Sequence, residues 1–87
     1  TGREESRDIS AKFYSLFRDS AVSVRPAGNL AVIKTMAGMA QAVCAAMDTM
    51  HWELVVGTLA GDDTIFVATR SERAAQQLVA ELTRAME

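Results

Sequence analysis

The sequence predicts a two-layer α+β domain, α/β in the broad sense. A short leading helix precedes β-β-α-β-β-α, and a four-stranded sheet is covered by two helices. Twice along the chain, a pair of β-prone runs joined by a turn signal gives way to helical periodicity. The runs Leu30-Ala31-Val32-Ile33, Leu54-Val55-Val56 and Ile65-Phe66-Val67-Ala68 are apolar at consecutive positions, as in strands that bury both faces. A chain of 87 residues makes one domain with a thin core, a size that often borrows stability from a partner.

Residues 1–7 are polar and charged and read as a tail or the end of a linker, leaving 8–87 as the domain. From about Asp8 to Phe17, the spacing of Ile9, Phe13, Leu16 and Phe17 predicts a short amphipathic helix. Phe13, Tyr14 and Phe17 suit a core or an interface; a base-stacking platform would need more basic neighbours than Lys12 and Arg18. Val22 and Val24 alternate with polar residues from Ser20 to Arg25, predicting a strand. Pro26-Ala27-Gly28-Asn29 reads as its turn, and Leu30 to Thr35 as the returning strand.

Between about Ala37 and Met50 the period becomes helical, with Met36, Met39, Ala40, Val43, Met47 and Met50 as the inward stripe. Gln41, Ala45 and Asp48 stack on the opposite side at i, i+4 and i+7. Such a side is ordinarily a solvated face. A solvated face, however, more often carries Lys and Glu, whereas here a small alanine between two polar groups leaves room for another body. His51-Trp52-Glu53 ends the helix. A lone histidine without partners at metal spacing suits a loop or interface, Trp52 an edge or interface, and Cys44 a small buried hydrophobe.

Leu54 to Val56 leads into the third strand and Thr64 to Thr69 forms the fourth, joined by a hairpin whose Ala60-Gly61-Asp62-Asp63 tip carries the acids. Ser71 then suits an N-cap, with Glu72 in the first turn. The last helix has Ala74, Ala75, Leu78, Val79, Leu82 and Met86 as its apolar stripe, and Arg73, Gln77, Glu81 and Arg84 as its wet side. Two main helices cover one sheet face only. The other face needs the first helix or another subunit, so oligomerisation is expected.

Gly-Asp-Asp is ordinary turn chemistry on its own, since Asp caps its own turn and Gly supplies unusual backbone angles. Two adjacent carboxylates nevertheless repel, and the pair is costly unless solvent or a cation compensates it. The formal net charge of −2, with both signs interspersed, argues against nucleic-acid binding by this piece. A single cysteine rules out an internal disulfide and suits a reducing cytoplasm, and no apolar run is long enough to span a membrane. Nothing reads as a signal peptide, and the start at Thr-Gly-Arg without Met suggests a piece of something longer. An enzyme is not expected. Adjacent acids without further ligands are thin support for a metal, and no nucleophile–base set is present.

The run Gly57-Thr58-Leu59-Ala60-Gly61-Asp62-Asp63-Thr64-Ile65-Phe66 resembles the signature of the bacterial arginine repressor family, in its C-terminal effector-binding and oligomerisation domain. Lys34-Thr35-Met36-Ala37-Gly38-Met39-Ala40-Gln41-Ala42-Val43, ending at Met47-Asp48, resembles the family's other ligand segment, and the likeness covers roughly residues 9–86. The resemblance implies trimers stacked into a hexamer with L-arginine, the effector and co-repressor, bound between them. It implies that Asp62 and Asp63 meet the arginine cation, partly from the opposing trimer. Gln41 and Asp48, with backbone near Ala40 and Thr58, would hold the ligand's amino-acid end. No other cofactor or metal is implied. Operator DNA would be reached through an N-terminal winged-helix domain absent from this chain. Ala37 stands where many members carry Pro, which implies a less rigid loop. The rival reading is a structural oligomerisation module that needs no ligand.

Overall fold

The computed structural model describes the backbone of residues 2–87 and the side chains of residues 10–87. The elements are α1 (Gly2–Ser20), β1 (Ala21–Ala27), β2 (Leu30–Thr35), α2 (Ala40–Asp48), β3 (Val55–Ala60), β4 (Thr64–Thr69) and α3 (Glu72–Ala85). That is the expected order. The first helix starts at Gly2 rather than near Asp8, because Arg3-Glu4-Glu5 are strong helix formers and no Gly or Pro interrupts the run to Ser20. Thr1 and the side chain of Ile9, assigned to the tail and the apolar stripe, lie outside the described residues.

The strands form one sheet in the order β1-β2-β4-β3, every neighbouring pair antiparallel. The doubly apolar runs of β2 and β4 therefore take the centre, flanked on both sides. Pro26 lies within β1 opposite Ala31 and not in the turn; β1 is an edge strand, where a missing N–H costs no ladder bond. The turn is reduced to Gly28-Asn29, with Gly28 in the left-handed region at φ 61°. In β3 the register slips between Val55 and Gly57, turning Val56 out to solvent.

The core lies between the sheet and the helices. Ala31, Ile33, Ile65 and Val67 point into it from the central strands, met by Val43 and Met47 of α2 and by Leu78 and Leu82 of α3. Helix α1 packs on α2 and α3, burying Phe13 and Phe17 completely. Phe13 stacks on Phe17 at 5.4 Å and meets the edge of Trp52 at 5.8 Å. The first helix thus thickens the helical layer and does not cover the far face of the sheet. There Leu59 and Phe66, paired across β3 and β4, remain 71% and 47% exposed.

The inward stripe of α2 differs from expectation at its start. Gly38 adopts φ 80°, the helix begins only at Ala40, and Met36 is left outside and exposed while Met39 and Met50 are half-buried. Ala40, Val43, Cys44 and Met47 are the residues it buries. His51, at φ 50°, stops the chain from continuing as a helix. No helix among the described residues is long and apolar enough to cross a membrane.

Candidate functional site

Helix α2 lies along the edge strand β3. Thr58 and Ala60 pair with buried Val67 and Ile65, so both belong to the strand face that looks toward the helices. Three polar contacts join helix to strand. Gln41 Nε2 donates to the Ala60 carbonyl at 3.1 Å, using an acceptor that an edge strand leaves unpaired. Thr58 donates its hydroxyl to Asp48 Oδ1 at 2.6 Å, a short charge-assisted bond. The Cys44 thiol donates to the same Thr58 oxygen at 3.1 Å. One oxygen of Asp48 is thus occupied and oriented, and the exposed carboxylate keeps further acceptor capacity.

The hairpin tip joins the other end of α2. Gly61 N–H donates to the Thr64 carbonyl at 2.9 Å, closing a tip made of Asp62 and Asp63. The Asp62 carbonyl accepts from the amides of Gly38 and Ala40 at 3.1 and 3.2 Å, and the Asp63 carbonyl accepts from Thr35 at 2.7 Å. The start of α2 has no side-chain cap; the Asp62 carbonyl takes up one of its orphan donors, the Ala40 N–H, instead. The two sequence segments singled out above are therefore one structural unit, tied backbone to backbone.

Both acidic side chains remain exposed at the tip. Asp63 Oδ1 accepts from Thr64 Oγ1 at 3.0 Å, and Oδ2 lies 3.7 Å from Lys34 Nζ. Asp62 makes no side-chain hydrogen bond or ion pair with the described residues. Lys34 and Thr64 face each other across β2 and β4, and Lys34 Nζ donates to Thr64 Oγ1 at 2.8 Å.

Of the six residues predicted from sequence, Gln41, Asp48 and Thr58 come together along α2 and β3, and Asp62 and Asp63 share the tip. Ala40 is buried, and its N–H is engaged by the Asp62 carbonyl. Asp48 ends α2, whereas the Asp62-Asp63 tip is tied to its start beside Ala40 and Gln41, about 12 Å of helix rise away. Sequence reasoning missed Lys34, Thr64 and the thiol of Cys44. Their roles depend on strand register and on which strand edge α2 meets, which no local pattern reveals.

A cleft of about 240 Å³ flanks Asp48, lined also by His51, Trp52 and Gly57. The indole N–H of Trp52 is buried without a hydrogen-bond partner among the described residues. A larger cleft of about 530 Å³ lies elsewhere, between α1 and α3, lined by Tyr14, Arg18, Glu81, Arg84 and Ala85. There burial, and secondarily the charge of Glu81, raises the Tyr14 phenol above its ordinary value. Among the described residues no group of three or more His, Cys, Asp or Glu is placed to hold a metal ion.

The family model described as "Arginine repressor, C-terminal domain" matches residues 17–84. A protein named arginine repressor from Thermoanaerobacter sp. (strain X514) is 51% identical over 71 residues, covering 82% of this chain and 47% of the relative. One of the same name from Caldicellulosiruptor bescii is 47% identical over 72 residues, 83% of this chain and 47% of the relative. The arginine repressor of Alkaliphilus metalliredigens (strain QYMF) is 42% identical over 84 residues, 97% of this chain and 56% of the relative. The chain spans about half the length of the curated relatives it matches. These names denote a repressor, not an enzyme.

Proposed function

The chain belongs to the arginine repressor family, through its C-terminal domain, and from that premise we propose that it senses L-arginine and assembles the repressor. The observation that carries the reading is the division of labour at the Asp62-Asp63 tip. The Asp62 carbonyl anchors the start of α2 and the Asp63 carbonyl the end of β2. Both side chains thus stay exposed toward a ligand, and among the described residues Asp63 is met only by Thr64 and Lys34. A guanidinium presents a planar fork that carboxylate oxygens match bidentately, so arginine is told from lysine by geometry as well as by charge.

The amino-acid end of the ligand meets Asp48, already oriented by Thr58, together with Gln41 and the backbone near Ala40 and Thr58. Because Asp48 and the Asp62-Asp63 tip of one chain lie at opposite ends of α2, a bound arginine takes its carboxylate partners from different copies. The ligand is then a bridge: it neutralises acids that would otherwise repel across the contact, and it stabilises a hexamer of two stacked trimers. The exposed Leu59 and Phe66 face of the sheet supplies apolar surface for assembly within a trimer. Linkage makes the coupling mutual, so association tightens arginine binding as arginine tightens association. In a full-length cytoplasmic repressor, contact with operator DNA falls to an N-terminal winged-helix domain.

Titration calorimetry with L-arginine tests the site. Binding by the unaltered chain, with more than tenfold weaker binding by Asp63→Asn, is the expected result. The rival, a ligand-independent assembly module, is favoured by the exposed sheet face alone. It predicts stable oligomers and no heat of arginine binding.

A further inference from the structure

We propose that Lys34 is an internal counter-ion of the ligand site, a cation that occupies Asp63 in the free chain and yields it to arginine. The inference rests on reading Asp63 as a ligand carboxylate. Three contacts define the arrangement. Lys34 Nζ donates to Thr64 Oγ1 at 2.8 Å, Thr64 donates onward to Asp63 Oδ1 at 3.0 Å, and Nζ lies 3.7 Å from Asp63 Oδ2. The base of the side chain is fixed, because Lys34 pairs with Thr64 on one side and Ser23 on the other in a central strand.

The chemistry sets which cation prevails. An ammonium is a compact point charge, and at 3.7 Å it makes a loose ion pair without a direct hydrogen bond to the carboxylate. A guanidinium engages both oxygens of a carboxylate at once. The side chains of Lys34 and Asp63 are 49% and 52% exposed, so solvent screens their attraction and Lys34 swings into water at little cost. While it stays nearby, its positive charge opposes that of the incoming ligand. In the ligand-free chain the same charge offsets part of the repulsion between Asp62 and Asp63, and so favours assembly before arginine arrives. Lys34 thereby lowers arginine affinity and narrows the difference between free and liganded assemblies.

The test is an arginine titration of the whole chain and its K34Q, K34M and K34R variants at low and high salt. K34Q and K34M, the latter keeping the apolar stem, should bind L-arginine about two- to fivefold more tightly at low salt, the gap closing as salt rises. K34R, which retains the charge, should stay weaker than K34Q. A merely structural lysine would give the opposite sign, since its loss would loosen the site. If the unaltered chain binds arginine and K34Q binds it no more tightly, Lys34 is not a competitor and the ligand site stands. If neither binds arginine, both readings fall.

Discussion

The two hairpins of this fold occupy equivalent places and solve the same problem with different atoms. Each precedes a helix in one of two successive β-β-α units. In the first, the Asn29 carbonyl accepts from the backbone and hydroxyl of Thr69, at the end of β4. In the second, the Asp63 carbonyl accepts from the backbone of Thr35, at the matching end of β2. Each tip thus ties down the strand end of the other unit. The side chains then part company: Asn29 Nδ2 donates to the Thr69 carbonyl and serves the fold, whereas the second tip leaves Asp62 and Asp63 facing outward. Where backbone alone supports the structure, side chains are free for function.

Exchanging the roles of the two tips produces the largest effects. Asp63→Ala should weaken arginine binding more than tenfold while shifting stability by under about 0.5 kcal/mol, since its carbonyl and the anchor to Thr35 survive. Asn29→Ala should do the reverse, leaving arginine binding unchanged and costing about 1 kcal/mol, read as a lowered melting temperature. If both variants lose arginine binding together, the second tip is no more specialised than the first.

A second contrast sets the two faces of the sheet against each other. The face toward the helices is closed by Ile33, Ile65 and Val67, while Leu59 on the far face stands open. Leu59→Asp should fold as the parent does but shift micromolar protein toward monomer in size-exclusion chromatography. Retention of the full assembly would move the subunit contact elsewhere.

Helix starts differ too. Ser71 caps α3 with its side chain, accepting from Ala74 N–H at 3.1 Å, so Ser71→Ala should cost about 1 kcal/mol in denaturant unfolding. The start of α2 is held by the Asp62 carbonyl, and Met39→Ser should bring no comparable gain. The smallest effect concerns Tyr14. Burial, then Glu81, holds its phenol above the ordinary value of about 10, so the folded chain keeps this proton where the unfolded chain sheds it. The stability linked to Tyr14 is full below that pH and declines as pH rises through it; Tyr14→Phe should flatten the decline.

Much of this architecture was legible in the chain. Consecutive apolar residues in Leu30–Ile33, Leu54–Val56 and Ile65–Ala68 read as apolar on both sheet faces. The first and last form the central strands, whereas Leu54–Val56 leads into the edge strand β3 and leaves Val56 exposed. Ser71 and the stripe from Ala74 to Leu82 behave as their spacing predicts. The misses come from long-range geometry. Pro26 sits in a strand because β1 is an edge, and Met36 falls outside the core because Gly38 delays α2. At the candidate site, the acids and the Gln41–Asp48 face were visible as motifs. Their connection through the Asp62 carbonyl, and the approach of Lys34 to Asp63, arise only when β2 pairs with β4.

The most direct measurement is sedimentation velocity at a concentration where the ligand-free chain is only partly assembled, with L-arginine, with L-lysine, and with neither. A site shared between copies and matched to a guanidinium predicts a shift to hexamer with arginine alone. An identical distribution in all three conditions, or an equal shift with lysine, contradicts it.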